Sequence, residues 1–433
     1  MRVVEAFKTA NRDVKICWLS AFLRLMSYGL TNQILTLFLS EIHVSEQQMG
    51  WFMSLTLIGD VAISYPLTWY ADRLGRRRTL VAGAIAMCAS GVVFSYSENY
   101  YVLLTFAVLG VISPSSDEVG PFKSIEESTL AHLTPHNKRP EVYAVHWMMS
   151  TSGSALGSIS CGWIVRLLLE TGAADTLLDC HKLVFVVYAV LAAAKLVAIL
   201  LLSDAAETGH SNNTLPETVE EETAVLLKSR RATRGLSPET YAVLVRLLIV
   251  FMLDSFGVGF MTSAWMVFYY STVFKLTSVA LGTLFFSAGI IMALSSLPSS
   301  ILARKFGPVK ATLVAQVPSA LFFMLIPFAE FYFPLSVLLF SLYNLTVAMD
   351  VTPRQILLTS IIKPADLTRV MGIVNMGKTF SRCIGPIFTG LLAEKGLLWS
   401  CFTISGSFVL LADTVLLASF SHADAEILSK TNS

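Results

Sequence analysis

The sequence predicts an all-α integral membrane protein whose twelve transmembrane helices form two six-helix pseudo-repeats. Three observations carry the prediction. The 433 residues are 54% hydrophobic and only 14% charged, whereas a soluble chain is about a quarter charged. Apolar stretches of the roughly 20 residues that a bilayer-crossing helix needs recur along most of the chain. Lysine and arginine gather in alternate connecting loops, the asymmetry that orients a polytopic protein.

The spans are read in order as beginning near Ile16, Gln47, Thr79, Tyr100, Glu141, Lys182, Glu239, Ser278, Ala311, Pro334, Val370 and Gly396. The polar start MRVVEAFKTANRDVK has no small-residue cleavage site after the first apolar run, so that run reads as a retained helix and not a signal peptide. The longest polar interruption contains NNTLPETVEEET and KSRRATRG and has the composition of a flexible linker. The organisation predicted is a cytosolic segment over 1–15, an N-terminal bundle over 16–203, a central loop over 204–238, a C-terminal bundle over 239–420 and a cytosolic tail over 421–433. Arg73, Arg76, Arg77, Arg78, Arg230, Arg231, Lys305 and Lys310 fall on the side of both termini, so that side is expected to be cytosolic. On this topology the sequon Asn212-Asn213-Thr214 faces the wrong compartment for glycosylation.

Composition also excludes several functions. A net charge of +1 argues against a nucleic-acid partner. The six cysteines show no C-x-x-C spacing and the seven histidines no ligand clustering, so no metal and no cofactor is expected. H-E-x-x-H, G-x-S-x-G and phosphate-binding glycine loops are missing from the sequence, which argues against an enzyme and against ATP-driven pumping.

The halves resemble each other. SYPLTWYADRLGRRRT aligns with SLPSSILARKFGPVKAT, so that Pro66 meets Pro298, Ala71 meets Ala303, Gly75 meets Gly307 and Arg78 meets Lys310. The same register carries Glu118 onto Asp350 and Pro121 onto Pro353, and GSISCG later matches GPIFTG. Six-helix halves of this kind place a site between them. The run Asp72-Arg73-Leu74-Gly75-Arg76-Arg77-Arg78, with its degraded copy Arg304 to Lys310, closely resembles the loop signature of the major facilitator superfamily. That resemblance implies alternating access by rocking of the halves, with spans one, four, seven and ten around the cavity. It also implies a cytosolic gate motif of Asp72, Arg73, Gly75, Arg76 and Arg77, to which Glu126 and Glu127 are assigned as acidic partners. Topology control by positive charge accounts for the arginines equally well. Gly75 itself suits a tight turn.

Charges within spans are costly, usually face the bundle interior, and mark a pathway. The candidates for pathway or proton coupling are Arg24, Asp60, Asp117, Glu118, Lys123, Asp254, Asp350, Arg354, Lys378 and Arg382, with Lys195 and Asp413 as further intramembrane charges. Asp117 and Glu118 stand where Pro114 and Gly120-Pro121 interrupt span four. Arg24 is expected to pair with Asp60 or Asp117, and Asp350 with Arg354 four residues on. Lys378 and Arg382 share a sign and need an anion, either Asp254, Asp350 or a substrate carboxylate. Asp413 is expected near an interface. Glycines of spans five and eleven suit close helix packing. Gly385-Pro386 resembles the Gly-Pro element of proton-driven drug exporters, which keep it in span five, where this chain has Gly157-Ser158.

The function expected is secondary transport of a small organic solute, coupled to protons, with export favoured over uptake. An uncoupled facilitator, an importer of nutrients or organic anions and a non-transporting sensor are the alternatives. The expected partners are the solute, protons and the bilayer. A monomer in the plasma membrane is favoured, with an organelle membrane as the other location.

Overall fold

The computed structural model describes Phe7 and residues 9–110, 112, 121–135, 139–203, 238–295, 298–362, 367–421 and 424, with side chains left aside at 64–74, 121–124, 131, 140, 238–239, 300, 304, 359 and 367–369. Among the described residues, sixteen α-helices and two 3-10 turns make up twelve spans. In the first half, α1 (Arg12–Glu41), α2 (Glu46–Leu74) and α3 (Arg76–Tyr96) form spans one to three. Span four is α4 (Tyr100–Leu109) followed by α5 (Pro121–Leu133), and α6 (Arg139–Glu170) and α7 (Leu177–Leu200) complete the half. In the second half, span seven is α8 (Pro238–Phe260) and α9 (Ser263–Phe274), and span eight is α10 (Ser278–Ser295) and α11 (Ser299–Phe306). Span nine is α12 (Pro308–Leu325), span ten joins α13 (Phe333–Val347) to α14 (Val351–Ile361), and α15 (Leu367–Glu394) and α16 (Leu398–Phe420) close the chain. By length and composition, eight helical segments among the described residues are long and apolar enough to cross a membrane.

Helix starts fall close to the expected ones. The widest gap is in span six, where α7 begins at Leu177 and not near Lys182. Its N-cap Thr176 accepts from Asp179 N–H at 3.1 Å, so the first turn is held by a polar cap that hydropathy does not register. Span seven holds a break that the sequence reading did not anticipate: Thr262 is extended between α8 and α9. Gly75 and Gly307 occupy matching turns with φ of 96° and 84°, a region that a side chain disfavours.

The packing repeats between halves. Span one lies along spans five and six, and span seven along spans eleven and twelve; span three packs on six, and nine on twelve. The most extensive contacts between the halves are span two with eleven and span five with eight, and α1 also meets α9. The first two use glycines in corresponding places. A Cβ on Gly50 would lie 3.0 Å from the Gly390 Cα, and a Cβ on Gly282 would lie 2.6 Å from the Ser158 carbonyl oxygen. Within each half, a Cβ on Gly157 would lie 3.0 Å from the Gly29 Cα, and one on Gly385 would lie 2.6 Å from the Gly259 oxygen. Backbones this close leave no room for a side chain, which is how helices associate without a hydrophobic driving force. Gly372, grouped with these in the sequence reading, has open space around it.

Three apolar clusters show where the halves meet. The largest draws on both halves, with Leu30 to Leu39 and Met49 to Met53 packed among Phe260 to Tyr270 and Leu281 to Ala288. These residues lie at the far end, where α1 and α9 finish. The other two clusters lie at the near end, where α1 and α8 begin. One belongs wholly to the first half (Val14, Trp18, Leu80, Ile125, Ile199) and the other wholly to the second (Leu244, Phe251, Val309, Leu357, Leu416). Among the described residues, the halves therefore share a core at the far end and keep separate cores at the near end.

Candidate functional site

Each half carries one buried ionic cluster. In the first half, Glu126 on α5 accepts from Arg24 Nη2 on α1 at 2.7 Å and from Ser20 Oγ at 3.0 Å, and Lys195 Nζ on α7 stands 3.6 Å away. The three charged side chains are 1%, 0% and 1% exposed. One carboxylate thus lies between two cations. Such a group survives burial only when paired and hydrogen-bonded.

Glu126, expected at the arginine-rich gate, instead pairs in the interior with Arg24, a partner not among the Asp60 and Asp117 expected for that arginine. On α5, Glu126 falls on the face that Ile125, Thr129 and Leu130 bury, whereas Glu127 turns to a half-buried position. Two gate arginines bond carbonyls of their own half: Arg76 Nη1 donates to Ser128 O at 3.3 Å and Arg77 Nη2 to Leu200 O at 2.6 Å. Tyr143 Oη donates to Glu127 O at 2.9 Å. Asp117 and Glu118 lie outside the described residues, as do the side chains of Asp72, Arg73 and Lys123 and the whole 204–237 segment with its sequon.

In the second half the signs are inverted. Arg354 on α14 grips Asp254 on α8 with two bonds, 2.7 and 2.9 Å, and its Nε lies 2.8 Å from Asp350. Gln316 on α12 donates to Asp254 Oδ1 at 3.0 Å. Arg354 and Lys378 also stand over the Phe251 ring, 5.5 and 5.4 Å from its centre. One guanidinium thus serves two carboxylates. A planar fork matches a carboxylate in this way, and an ammonium would not. Asp413 on α16 is buried, at 2% exposure. Its turn of α16 packs against α8 and α12, so the helix carries it into the bundle.

Asp60 and Arg382 occupy the contact between halves. Asp60 is buried on α2, Arg382 is half-buried on α15, and Cys383 lies within the electrostatic field of both.

Above these clusters sits the far-end closure. Thr36 Oγ1 on α1 donates to Ala264 O at the start of α9, at 3.0 Å, and Thr262 Oγ1 donates to Met53 Sδ at 3.9 Å. Trp265, Tyr269 and Tyr270 are buried in the same cluster. Asn32 and Gln33 lie about one turn below Thr36 on α1. The Asn32 and Gln33 amide oxygens and Trp265 Nε1 have no hydrogen-bond partner among the described residues. Buried polar atoms of this kind normally have one. Hydropathy alone does not single out these three groups; the polar run Thr31-Asn32-Gln33 inside an apolar span is the signal that the sequence carries for the first two.

Comparison with known proteins accords with this architecture. The family model described as Major Facilitator Superfamily matches residues 17–349 and 247–431. An uncharacterized membrane protein of Saccharomyces cerevisiae, YJR124C, is 58% identical over 98% of both chains. A quinolone resistance protein, NorA, of Staphylococcus aureus is 21% identical over 34% of this chain and 37% of its own. Among solved structures, a bacterial homolog of the human lysosomal transporter Spinster, inward-facing and unoccupied, superposes with a TM-score of 0.72 at 13% identity, covering 94% of this chain and 95% of that one. A D-xylose-proton symporter superposes with a TM-score of 0.69 at 17% identity, covering 94% and 96%. With its twelve spans in two repeated bundles and a family match that runs across both, the chain belongs to the major facilitator superfamily.

Proposed function

We propose that this membrane protein is a secondary active transporter that moves a small organic solute by alternating access, coupled to protons. The observation that carries the reading is the asymmetry of the cores: one cluster shared by both halves at the far end, and a separate cluster for each half at the near end. With the near end on the cytosolic side, as the lysine and arginine bias implies, this is a state closed to the outside and open to the cytosol. Rocking about the glycine contacts of spans two with eleven and five with eight would exchange the openings.

Asn32, Gln33 and Trp265 supply neutral hydrogen-bonding groups directly beneath the closure, which suits a polar or amphipathic solute carrying donors and acceptors. Export is favoured over uptake, in line with the partial likeness to a quinolone resistance protein; the favoured setting is the plasma membrane, with the chain as a monomer. A second reading, an uncoupled facilitator, has one specific observation behind it: Glu126, Asp254 and Asp350 are all engaged in ion pairs. The test is a solute screen in proteoliposomes holding the full chain, run with and without an imposed pH gradient. Flux that rises with the gradient supports coupling. Equal rates leave the facilitator, and background flux for every solute removes the transport reading.

A further inference from the structure

The two ionic clusters are built on corresponding helices with opposite signs. The first half places a cation, an acid and a cation on spans one, four and six: Arg24, Glu126 and Lys195. The second half places an acid, a cation and an acid on spans seven, ten and twelve: Asp254, Arg354 and Asp413. In the first half all three charges converge, since both cations lie within 3.6 Å of Glu126. In the second half the sixth-helix member does not join: Arg354 is taken up by Asp254 and Asp350, and Asp413 Oδ2 has no hydrogen-bond partner among the described residues.

We propose that Asp413 carries the exchangeable proton of this protein, an inference that rests on the proton-coupled reading above and names its site. The surroundings of Asp413 support it. Charged groups with described side chains on the helices packed against α16 are Arg246 and Asp254 on α8, Lys310 on α12, and Lys378, Arg382 and Glu394 on α15. Those acting on Asp413 itself are Arg354, Asp254 and Asp350. Ionised, Asp413 would be a further negative charge in the bundle interior, at 2% exposure and with no ion pair among the described residues. A neutral acid meets no such cost.

A hydrogen is also wanted there. Gln316 Nε2 donates to Asp254, which leaves Gln316 Oε1 buried and without a donor among the described residues. The register of α12 against α16 is set by Phe323 on Phe402, with ring centres 5.0 Å apart, and by Gly406, where a Cβ would lie 3.0 Å from Ala320 O. Continuing that antiparallel register brings Gln316 within about one helical turn of Asp413. Gln316 Oε1 and Asp413 Oδ2 are thus buried acceptors on neighbouring turns, and a proton on Asp413 supplies a donor where the described residues offer none. A cavity adjoins: Gln316, Ser319, Tyr343 and Ser405 line it between α8, α12, α13 and α16, and Val409, one turn before Asp413, forms part of its wall.

Loss of the proton would give Arg354 a third carboxylate to serve and loosen its hold on Asp254, the link between spans seven and ten. In the first-half cluster the surplus charge belongs to an arginine and a lysine, so no carboxylate is left over there.

The test reads the proton directly and needs no solute. Infrared difference spectra of the purified full chain, taken between about pH 5 and pH 9, report a protonated carboxyl by its carbonyl stretch. The expected result is a band in the wild type that disappears in Asp413→Asn and persists in Asp60→Asn. Asp413→Glu, which keeps the acid if Asn fails to fold, should retain the band at a shifted frequency. A band unchanged in Asp413→Asn, a band unmoved in Asp413→Glu, or no pH-dependent carboxyl in the wild type would each overturn the assignment. Proteoliposome flux is scored separately, so titration without flux would remove the transport reading and leave the proton site standing.

Discussion

Replacing Glu126 with Gln is the sharpest available perturbation. It removes one negative charge and leaves Arg24 and Lys195 buried at 1% exposure with only a neutral amide between them. Breaking a buried ion pair by deleting one partner costs about 3–5 kcal/mol, because the other charge is left uncompensated. Two cations share this carboxylate, so the upper part of that range applies. For a bundle of this size roughly 2–4 °C of melting temperature accompanies each kcal/mol, so the midpoint should fall on the order of 10 °C. Thermal melting of detergent-purified protein, followed by intrinsic fluorescence, measures it. Two companions discriminate the cause. Glu127→Gln, next along the chain but half-buried on another face, should lower the midpoint by less, since it removes no charge from the buried cluster. The triple change Arg24→Met, Glu126→Gln, Lys195→Met should recover most of the loss, since apolar replacement of a whole buried ionic group is often neutral. If Glu126→Gln melts with the wild type, or if Glu127→Gln is equally damaging, the convergence of three charges in the first half is not what holds spans one, four and six together.

Two further outcomes follow from the packing. Gly390→Val should disfavour the far-end-closed state, because a Cβ at Gly390 already lies 2.9 Å from the Gly50 Cα. Overpacking of this kind costs about 1–3 kcal/mol, which is roughly a 5- to 150-fold shift in the open-to-closed ratio. The readout is alkylation of Cys161, buried beside Gly162 in the other contact between halves, in a background where it is the sole cysteine; an unchanged rate would refute the rocking axis. Gly307→Ala should cost more than its backbone strain of about 1–2 kcal/mol. Its Cβ would lie 2.6 Å from the Asp424 carboxyl carbon, and that carboxylate accepts from Val309 N–H at 2.7 Å and Lys310 N–H at 3.0 Å to cap α12. In an Asp424→Ala background the added cost should shrink to the strain alone, and melting curves showing simple additivity would exclude the coupling.

What the linear sequence determined rests on local chemistry. The spans follow from runs of apolar residues, because lipid leaves backbone groups no partner outside the helix. The family likeness follows from the turn around Gly75 and its copy at Gly307, whose positive φ is a property of the backbone at that point. The pairing of Asp350 with Arg354 follows from four-residue spacing on one helix. Tertiary structure alone decided the rest. Arg24 meets Glu126 because α1 and α5 present those faces to one another, a fact about rotation of two helices that spacing along either cannot contain. The same limit hid Asp413: hydropathy places it in an apolar helix, but only the packing of α16 against α8 and α12 buries it. The break at Thr262 was equally hidden. Neither Pro nor Gly marks it, and the far-end contacts of Thr36 with Ala264 and of Thr262 with Met53 hold it in place.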